Sequence, residues 1–325
     1  MPVSYIQIDI QKAKHNMKLL RESIPSNVKM MAVVKNDAYG NGAIKISQLA
    51  TNNGFDYIGV ARVSEALELI NHGITVPIMI LGLVPKQDLE IAIIHDCLIP
   101  IDTIAELQYT NKIATKYQKK AKVMIAVDTG LHRIGIKCTE IQPIIKEIQK
   151  LNYVYLNGIF THFIEAESKN KVTTYKQLDR FNQVVNKLKD ELGLLISASD
   201  SAAVEDIPEA RFNLVRIGCL LAGIQPSTEI LHPIPVEPIL SIKSEVIHLE
   251  KVSAGESVGY GGTYIAKKDM YIATIPIGYG DGYRRCLSEK ASVLIHGKKR
   301  KITGLICMDQ MMVEADDTIQ VGDEV

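Results

Sequence analysis

Between residues 29 and 222, short apolar runs alternate with longer segments whose apolar positions recur every three to four residues, the alternation that builds a parallel sheet covered by helices. Eight runs read as strands: 29–34, 57–60, 77–81, 98–101, 122–127, 156–163, 194–198 and 213–217. Segments 43–51, 63–71, 103–117, 139–149 and 173–192 read as helices, several followed by glycine or asparagine, as helix C-termini often are. Eight such units in roughly 200 residues predict an α/β fold, a (β/α)8 barrel. From about Val236 helical windows become scarce, and strands are expected at 239–249, 270–276, 292–295, 301–307 and 311–314, a mainly β domain. Pro233, Pro235 and Pro238 interrupt helix and central strand alike and suggest the boundary. The predicted organisation is a strand segment 1–10 packed with the C-terminal domain, a barrel over 11–233 and a β domain over 234–325.

The chain's 325 residues exceed one ordinary core and suit a barrel plus a smaller domain. Lysine plus arginine (37) equals aspartate plus glutamate (37), so no net field gathers nucleic acid or an acidic membrane surface, and a small-molecule partner is expected. The longest apolar stretches, such as Val76 to Leu81, fall far short of the roughly 20 residues of a membrane span. The start, Met1 to Ile10, alternates like a strand and lacks the basic-then-apolar order of a secretory signal, which predicts a cytoplasmic protein. Cys97, Cys138, Cys219, Cys286 and Cys307 are odd in number and scattered, and no histidine stands in ligand spacing with another histidine or a cysteine. Neither a disulfide framework nor a metal site is expected.

Polar residues collect where barrel enzymes carry their chemistry, at the C-terminal ends of the predicted strands. Lys35 follows the first, Arg62 the second, Asp128 through Arg133 the fifth, His162 the sixth and Ser201 the seventh, and Arg216 belongs to the eighth. Lys35 closes the run Met30-Met31-Ala32-Val33-Val34 and opens Asn36-Asp37-Ala38-Tyr39-Gly40. A partly desolvated lysine amine loses charge and becomes a nucleophile able to hold an aldehyde cofactor as a Schiff base. Taken alone, it is equally a strand-ending lysine reaching for water. Gly259-Tyr260-Gly261-Gly262 is likewise a good hairpin turn.

Seven stretches together resemble the fold-type III pyridoxal-phosphate alanine racemases, in the family's order along almost the whole chain. They are Ala32 to Gly40, Val127 to Gly135 (Val-Asp-Thr-Gly-Leu-His-Arg-Ile-Gly), Thr161-His162-Phe163, Val215-Arg216-Ile217-Gly218, Ala254 to Tyr264, Ile275 to Tyr283, and Cys307-Met308-Asp309-Gln310. The resemblance implies a pyridoxal 5'-phosphate barrel, a β domain and a homodimer whose partner completes each active site. It implies Lys35 as Schiff-base lysine and one catalytic base, with Tyr260 of the partner subunit as the other. Two bases are needed because the substrate carbanion is planar and inversion returns the proton on the opposite face. Arg216 matches the arginine facing the cofactor's ring nitrogen; having donors only, it leaves that nitrogen unprotonated. Tyr39, Ser201 and the backbone of Gly218 and Cys219 match the phosphate-binding set. Arg133 and the backbone of Met308 match the holders of the substrate carboxylate, for which the guanidinium fork is suited. His162, Tyr279 and Asp309 match positions around the cofactor and the access channel, where each could equally be structural.

The sequence also departs from the family. Ala126 stands where many members carry a carbamylated lysine that braces the arginine corresponding to Arg133, so a bound anion such as chloride is expected to steady Arg133 instead. Ser197 stands for the usual histidine partner of the strand-eight arginine, and Asp200 for an amide. The resemblance implies further strands beyond Val325, including a tyrosine for the phosphate site. The expected function is interconversion of L- and D-alanine, supplying D-alanine for peptidoglycan. A racemase for another amino acid such as serine or lysine, and a catalytically degenerate binding or regulatory protein, are the alternatives. A fold-type III decarboxylase fits less well, since the chain has no glycine-triplet phosphate loop.

Overall fold

A computed structural model describes residues 3–188 and 193–325. Two compact units divide the chain: Asp9–Ile239, and the segment up to Ile8 together with Leu240–Val325. In the first, eight parallel strands run in the order Leu214–Ile217, Lys29–Val33, Tyr57–Val60, Ile78–Ile80, Leu98–Ile101, Ala121–Asp128, Val154–Phe160 and Leu195–Ser197. Hydrogen bonds join the outer two, among them Arg216 N–H to the Ser199 carbonyl (3.1 Å) and Ile196 N–H to Asn213 Oδ1 (2.7 Å), and leave a nearly closed barrel. These strands read as apolar runs because helices cover one face and the barrel interior the other. Met31, Met79, Leu98, Met124 and Leu214 are among the side chains that fill the interior, and none is more than 2 % exposed.

The expected strands recur within a residue or two, except that 156–163 starts earlier and ends at Phe160, so His162 stands in the loop beyond its strand. Three helices escape the hydrophobic pattern: Ile10–Ser23, Leu89–Ile94 and Ser201–Asp206. The first follows immediately on the strand Tyr5–Ile8, and the Asp9 carboxylate caps it by accepting from Gln11 N–H (2.9 Å) and Lys12 N–H (3.0 Å). Alternation therefore stops at Ile8 rather than at residue 10. The helix expected at 173–192 is observed over Val172–Asn186, and positions 189–192 lie outside the described residues. The proline-rich segment also differs from expectation, staying with the barrel to Ile239. Glu237 exchanges two 2.8 Å hydrogen bonds with the buried Asn16 side chain, and Ile234 and Ile239 are buried.

In the second unit Tyr5–Ile8 pairs antiparallel with Leu240–Lys243. A five-stranded antiparallel sheet takes the order His248–Val252, Met270–Ile275, Met311–Ala315, Lys298–Thr303 and Ser292–Ile295. The stretch expected as one strand over 239–249 is thus two, broken by Ser244 and Val246, whose backbones bond to Val325 and Asp323. The strand expected at 301–307 is displaced to Lys298–Thr303, because His296 and Gly297 at positive φ (50° and 72°) make a tight hairpin from Ser292–Ile295. Its charged start, Lys298-Lys299-Arg300-Lys301, lies largely exposed and hides the strand from a hydrophobic pattern.

Candidate active site

The barrel places eight of the residues singled out in the sequence around one cavity of about 280 Å3: Lys35, Tyr39, Arg133, His162, Ser201, Arg216, Gly218 and Cys219. Their positions along the chain run from 35 to 219, and the closing of the sheet brings them together. Ala126, Asp200 and Glu167 line the same cavity. Arg62 does not: it pairs with Glu65 (3.2 Å) in the first turn of the helix that follows it.

Lys35 leads into backbone that sequence rules do not anticipate. Asn36, Asp37, Ala38 and Tyr39 all have positive φ (51°, 55°, 51° and 59°), a left-handed turn built without glycine. Side-chain acceptors pin it. Asp37 Oδ1 accepts Ala43 N–H (2.7 Å), and Glu65 Oε1 accepts Asn36 N–H (2.9 Å). The other oxygen of Glu65 accepts Ala61 N–H (2.7 Å) and Arg62 N–H (3.1 Å), so one carboxylate joins the lysine turn to the start of the next helix. Burial pushes this carboxyl up, but the three amides and Arg62 outweigh burial and hold it below the usual range. Glu65 was missed in the sequence, although its spacing from Arg62 is that of a helix-capping glutamate.

Arg216 is buried at 6 % exposure and donates to Ser197 Oγ, to the Thr161 carbonyl (2.8 Å) and to the Ala198 carbonyl (3.3 Å). His162 Nδ1 lies 3.4 Å from the same guanidinium. Burial lowers Arg216 to about 10, with Asp200 raising it and Arg133 lowering it, so the group stays charged through the physiological range. Burial, then Arg216, Arg133 and Lys35, push His162 down to about 3. It is a neutral imidazole whose Nδ1 accepts toward the arginine.

The phosphate-binding candidates converge on Gly218. Its N–H donates to Ser201 Oγ (3.0 Å), and a Cβ at this position would stand 2.4 Å from the Tyr39 hydroxyl oxygen. Only glycine lets the phenol lie there. Burial, Cys219 and Asp200 raise Tyr39 to about 12, so its hydroxyl keeps its proton and can donate to an anion. The fit to a phosphorylated pyridine aldehyde is therefore good: two hydroxyls beside a glycine cradle for an anion, a permanent donor at Arg216, and an amine at Lys35.

The loop after Ala121–Asp128 is shaped by Asp128, which accepts from Gly130 N–H (2.9 Å), His132 N–H (3.1 Å) and His132 Nδ1 (2.8 Å). Arg180 anchors the same loop through the Thr129 carbonyl (2.7 Å) and Gln177 through Thr129 Oγ1 (3.1 Å). Arg133 is exposed at the cavity's edge, its guanidinium with no protein acceptor among the described residues. It is free to grip a ligand.

The remaining candidates belong to the β-rich unit. Tyr260, 70 % exposed, tips the hairpin of Ser257–Val258 and Tyr264–Ile265. Tyr279 and Met308 sit together: Tyr279 N–H donates to the Cys307 carbonyl (3.0 Å) and Gly280 N–H to the Met308 carbonyl (2.7 Å). Met308 and Asp309 are exposed.

A (β/α)8 barrel whose strand ends gather a lysine, a buried arginine and an anion-binding pair of hydroxyls defines a class of barrel enzyme built around a phosphorylated aldehyde cofactor. Family profiles narrow this: the alanine racemase N-terminal domain matches residues 8–226 and the alanine racemase C-terminal domain residues 239–325. An alanine racemase of Halothermothrix orenii is 36 % identical over 327 residues, 99 % of this chain and 86 % of that protein. Among solved structures, alanine racemase of Clostridium difficile 630 superposes with a TM-score of 0.93 at 35 % identity, covering 100 % of this chain and 86 % of that one. Histidine racemase of Leuconostoc mesenteroides reaches 0.90 at 28 % identity, covering 100 % and 88 %. The chain belongs to the alanine racemase family, enzymes that use pyridoxal 5'-phosphate to racemise amino acids.

Proposed function

We propose that this chain interconverts L- and D-alanine by a two-base mechanism, with Lys35 on one face of the substrate and Tyr260 of the partner subunit on the other. The observation that carries the reading is the gathering of Lys35, Tyr39, Arg133, Ser201 and Arg216, from four separate strand ends, around one cavity. Pyridoxal phosphate supplies the electron withdrawal that makes the α-proton of an amino acid removable. Tyr39, Ser201 and the backbone at Gly218 and Cys219 would hold its phosphate, Arg216 would face its ring nitrogen, and His162 would back Arg216. Arg133, aided by the backbone of Met308 of the partner subunit, would bind the substrate carboxylate, its guanidinium fork suited to two parallel hydrogen bonds. Lys35 takes or returns the proton at Cα on its own side; a phenol facing the other side does the converse, so each enantiomer meets its own base.

A homodimer follows from this division of labour, and the exposure of Tyr260, Tyr279 and Met308 suits residues that serve a neighbouring subunit. Tyr279 and Asp309 are assigned to the substrate's access channel. Supply of D-alanine for peptidoglycan in the cytoplasm is the proposed role; no helix among the described residues is long and apolar enough to cross a membrane. Racemisation of a different amino acid is a second reading, favoured by the shared fold of a histidine racemase.

The test is to incubate the protein and cofactor with each L-amino acid and measure the D-isomer with a coupled oxidase. D-alanine is expected as the main product, and Lys35→Ala should lower its formation by roughly 10²–10⁴-fold or more, the contribution of a positioned base. Tyr260→Phe should slow solvent deuterium incorporation from one enantiomer much more than from the other. A wild-type protein that makes no D-alanine, or equal slowing from both sides, refutes the scheme.

A further inference from the structure

The cavity contains one acidic group that the proposed chemistry does not use. Asp200 immediately precedes Ser201 and caps the short helix Ser201–Asp206, its Oδ1 accepting Ala203 N–H (3.0 Å). Its other oxygen lies 3.8 Å from His162 Nδ1, and its side chain, 26 % exposed, opens onto the cavity rather than onto bulk water. Four ionisable groups face it from the surrounding elements: Arg216 from its strand, His162 from the preceding strand end, Tyr39 from the left-handed turn and Cys219 from the segment after Gly218. Of these only Arg216 carries charge at neutral pH. That guanidinium makes no hydrogen bond to Asp200; its donors go to Ser197, two carbonyls and the imidazole. Asp200 is therefore a carboxylate assisted by the amides at the start of its helix, with a cation nearby that is not hydrogen-bonded to it and a neighbouring serine assigned to an anion.

A phosphate brought to Ser201 and Tyr39 adds negative charge beside that carboxylate, and two like charges sharing a low-dielectric site cannot both stay ionised cheaply. An amide at this position would have no such conflict. We propose that Asp200 couples cofactor binding to proton uptake: the phosphorylated cofactor enters as the Asp200 carboxyl takes a proton, so this chain holds its cofactor less tightly as pH rises. This rests on the cavity being the cofactor site. Geometry provides for the protonated form, since Oδ1 keeps its amide donor while a proton on Oδ2 would face the unprotonated Nδ1 of a neutral imidazole. Burial pushes the carboxyl up from its ordinary range, and the amides and Arg216 only partly offset this.

The test uses pyridoxine 5'-phosphate, which lacks the aldehyde and cannot bond to Lys35, against pyridoxine, which lacks the phosphate as well. Binding to the full chain freed of cofactor is measured by calorimetry from pH 5 to 8. One proton taken up on binding raises Kd by up to about tenfold per pH unit above the free-state pKa. Wild type should show that slope with pyridoxine 5'-phosphate beyond whatever the ligand itself contributes, and Asp200→Asn should lose it and bind more tightly at pH 8. Pyridoxine should show no difference between the two proteins. Should Asp200→Asn fold poorly, wild type alone decides: titrations in buffers of different ionisation enthalpy must report net proton uptake for the phosphorylated ligand. Identical slopes in both proteins, an equal gain for pyridoxine, or no proton uptake overturns the inference. Failure of either protein to bind pyridoxine 5'-phosphate overturns it together with the cofactor assignment, a different result from equal slopes.

Discussion

Replacing Gly218 by alanine tests how the anion site is assembled. The new Cβ would stand 2.4 Å from the Tyr39 hydroxyl oxygen, closer than real Cβ contacts allow, and a tight 3.1 Å from its Cζ. Gly218 itself has φ −118°, so the added methyl conflicts with the phenol and not with left-handed backbone. Tyr39 is 43 % exposed and its ring can swing outward, which keeps the folding cost near 1 kcal/mol, the low end of overpacking penalties. Its hydroxyl then no longer donates to the phosphate. A hydrogen bond to a charged group contributes about 1.5–3 kcal/mol, so the cofactor should bind roughly 10- to 150-fold more weakly. The assay is calorimetric binding of pyridoxine 5'-phosphate beside thermal unfolding, with Tyr39→Phe and the double variant completing a cycle. Because both changes act through one hydroxyl, the double variant should bind about as weakly as either single one. Unchanged affinity in Gly218→Ala, or full additivity in the cycle, refutes the reasoning.

Two further outcomes follow from the same geometry. Glu65→Ala removes the acceptor for Asn36, Ala61 and Arg62, so about 1–3 kcal/mol of stability should be lost; the turnover number should fall more than Glu65→Gln lowers it, and equal turnover in Ala and Gln variants would show that Lys35 does not depend on this clamp. His162 is depressed to about 3 in the folded chain, below the roughly 6.5 of an unfolded histidine. Its neutral form therefore contributes stability that is complete above about pH 6.5 and declines as pH falls from there toward 3. His162→Asn should lose less urea resistance than wild type between pH 7 and pH 5, and parallel losses would contradict the assignment.

The barrel was legible because its strands are buried on both faces and so appear as uninterrupted apolar runs. Lys298–Thr303 was misplaced for the opposite reason: it begins with four basic residues, three of them exposed, and a hairpin rather than hydrophobicity fixes its register. Ile10–Ser23 was hidden by its closeness to the preceding strand, although Asp9 was a readable cap. At the site, Lys35, Arg216 and Ser201 could be picked out by their places at strand ends, but the bond from Arg216 to Ser197 and the approach of Tyr39 to Gly218 arise only when the sheet closes. Glu65 could have been noticed as a helix cap; its reach to Asn36, 29 residues away, could not.

Left-handed backbone costs an ordinary L-residue about 1–2 kcal/mol, so the four consecutive residues after Lys35 carry a local deficit of roughly 4–8 kcal/mol, comparable with the net stability of a whole domain. No short peptide of this sequence would adopt the conformation by itself. The segment is therefore not portable: grafted onto another scaffold without the carboxylates of residues 37 and 65 and the walls of the barrel, it would relax to ordinary backbone and aim its lysine elsewhere. During folding, too, the amine can reach its working position only after the strands on either side have docked.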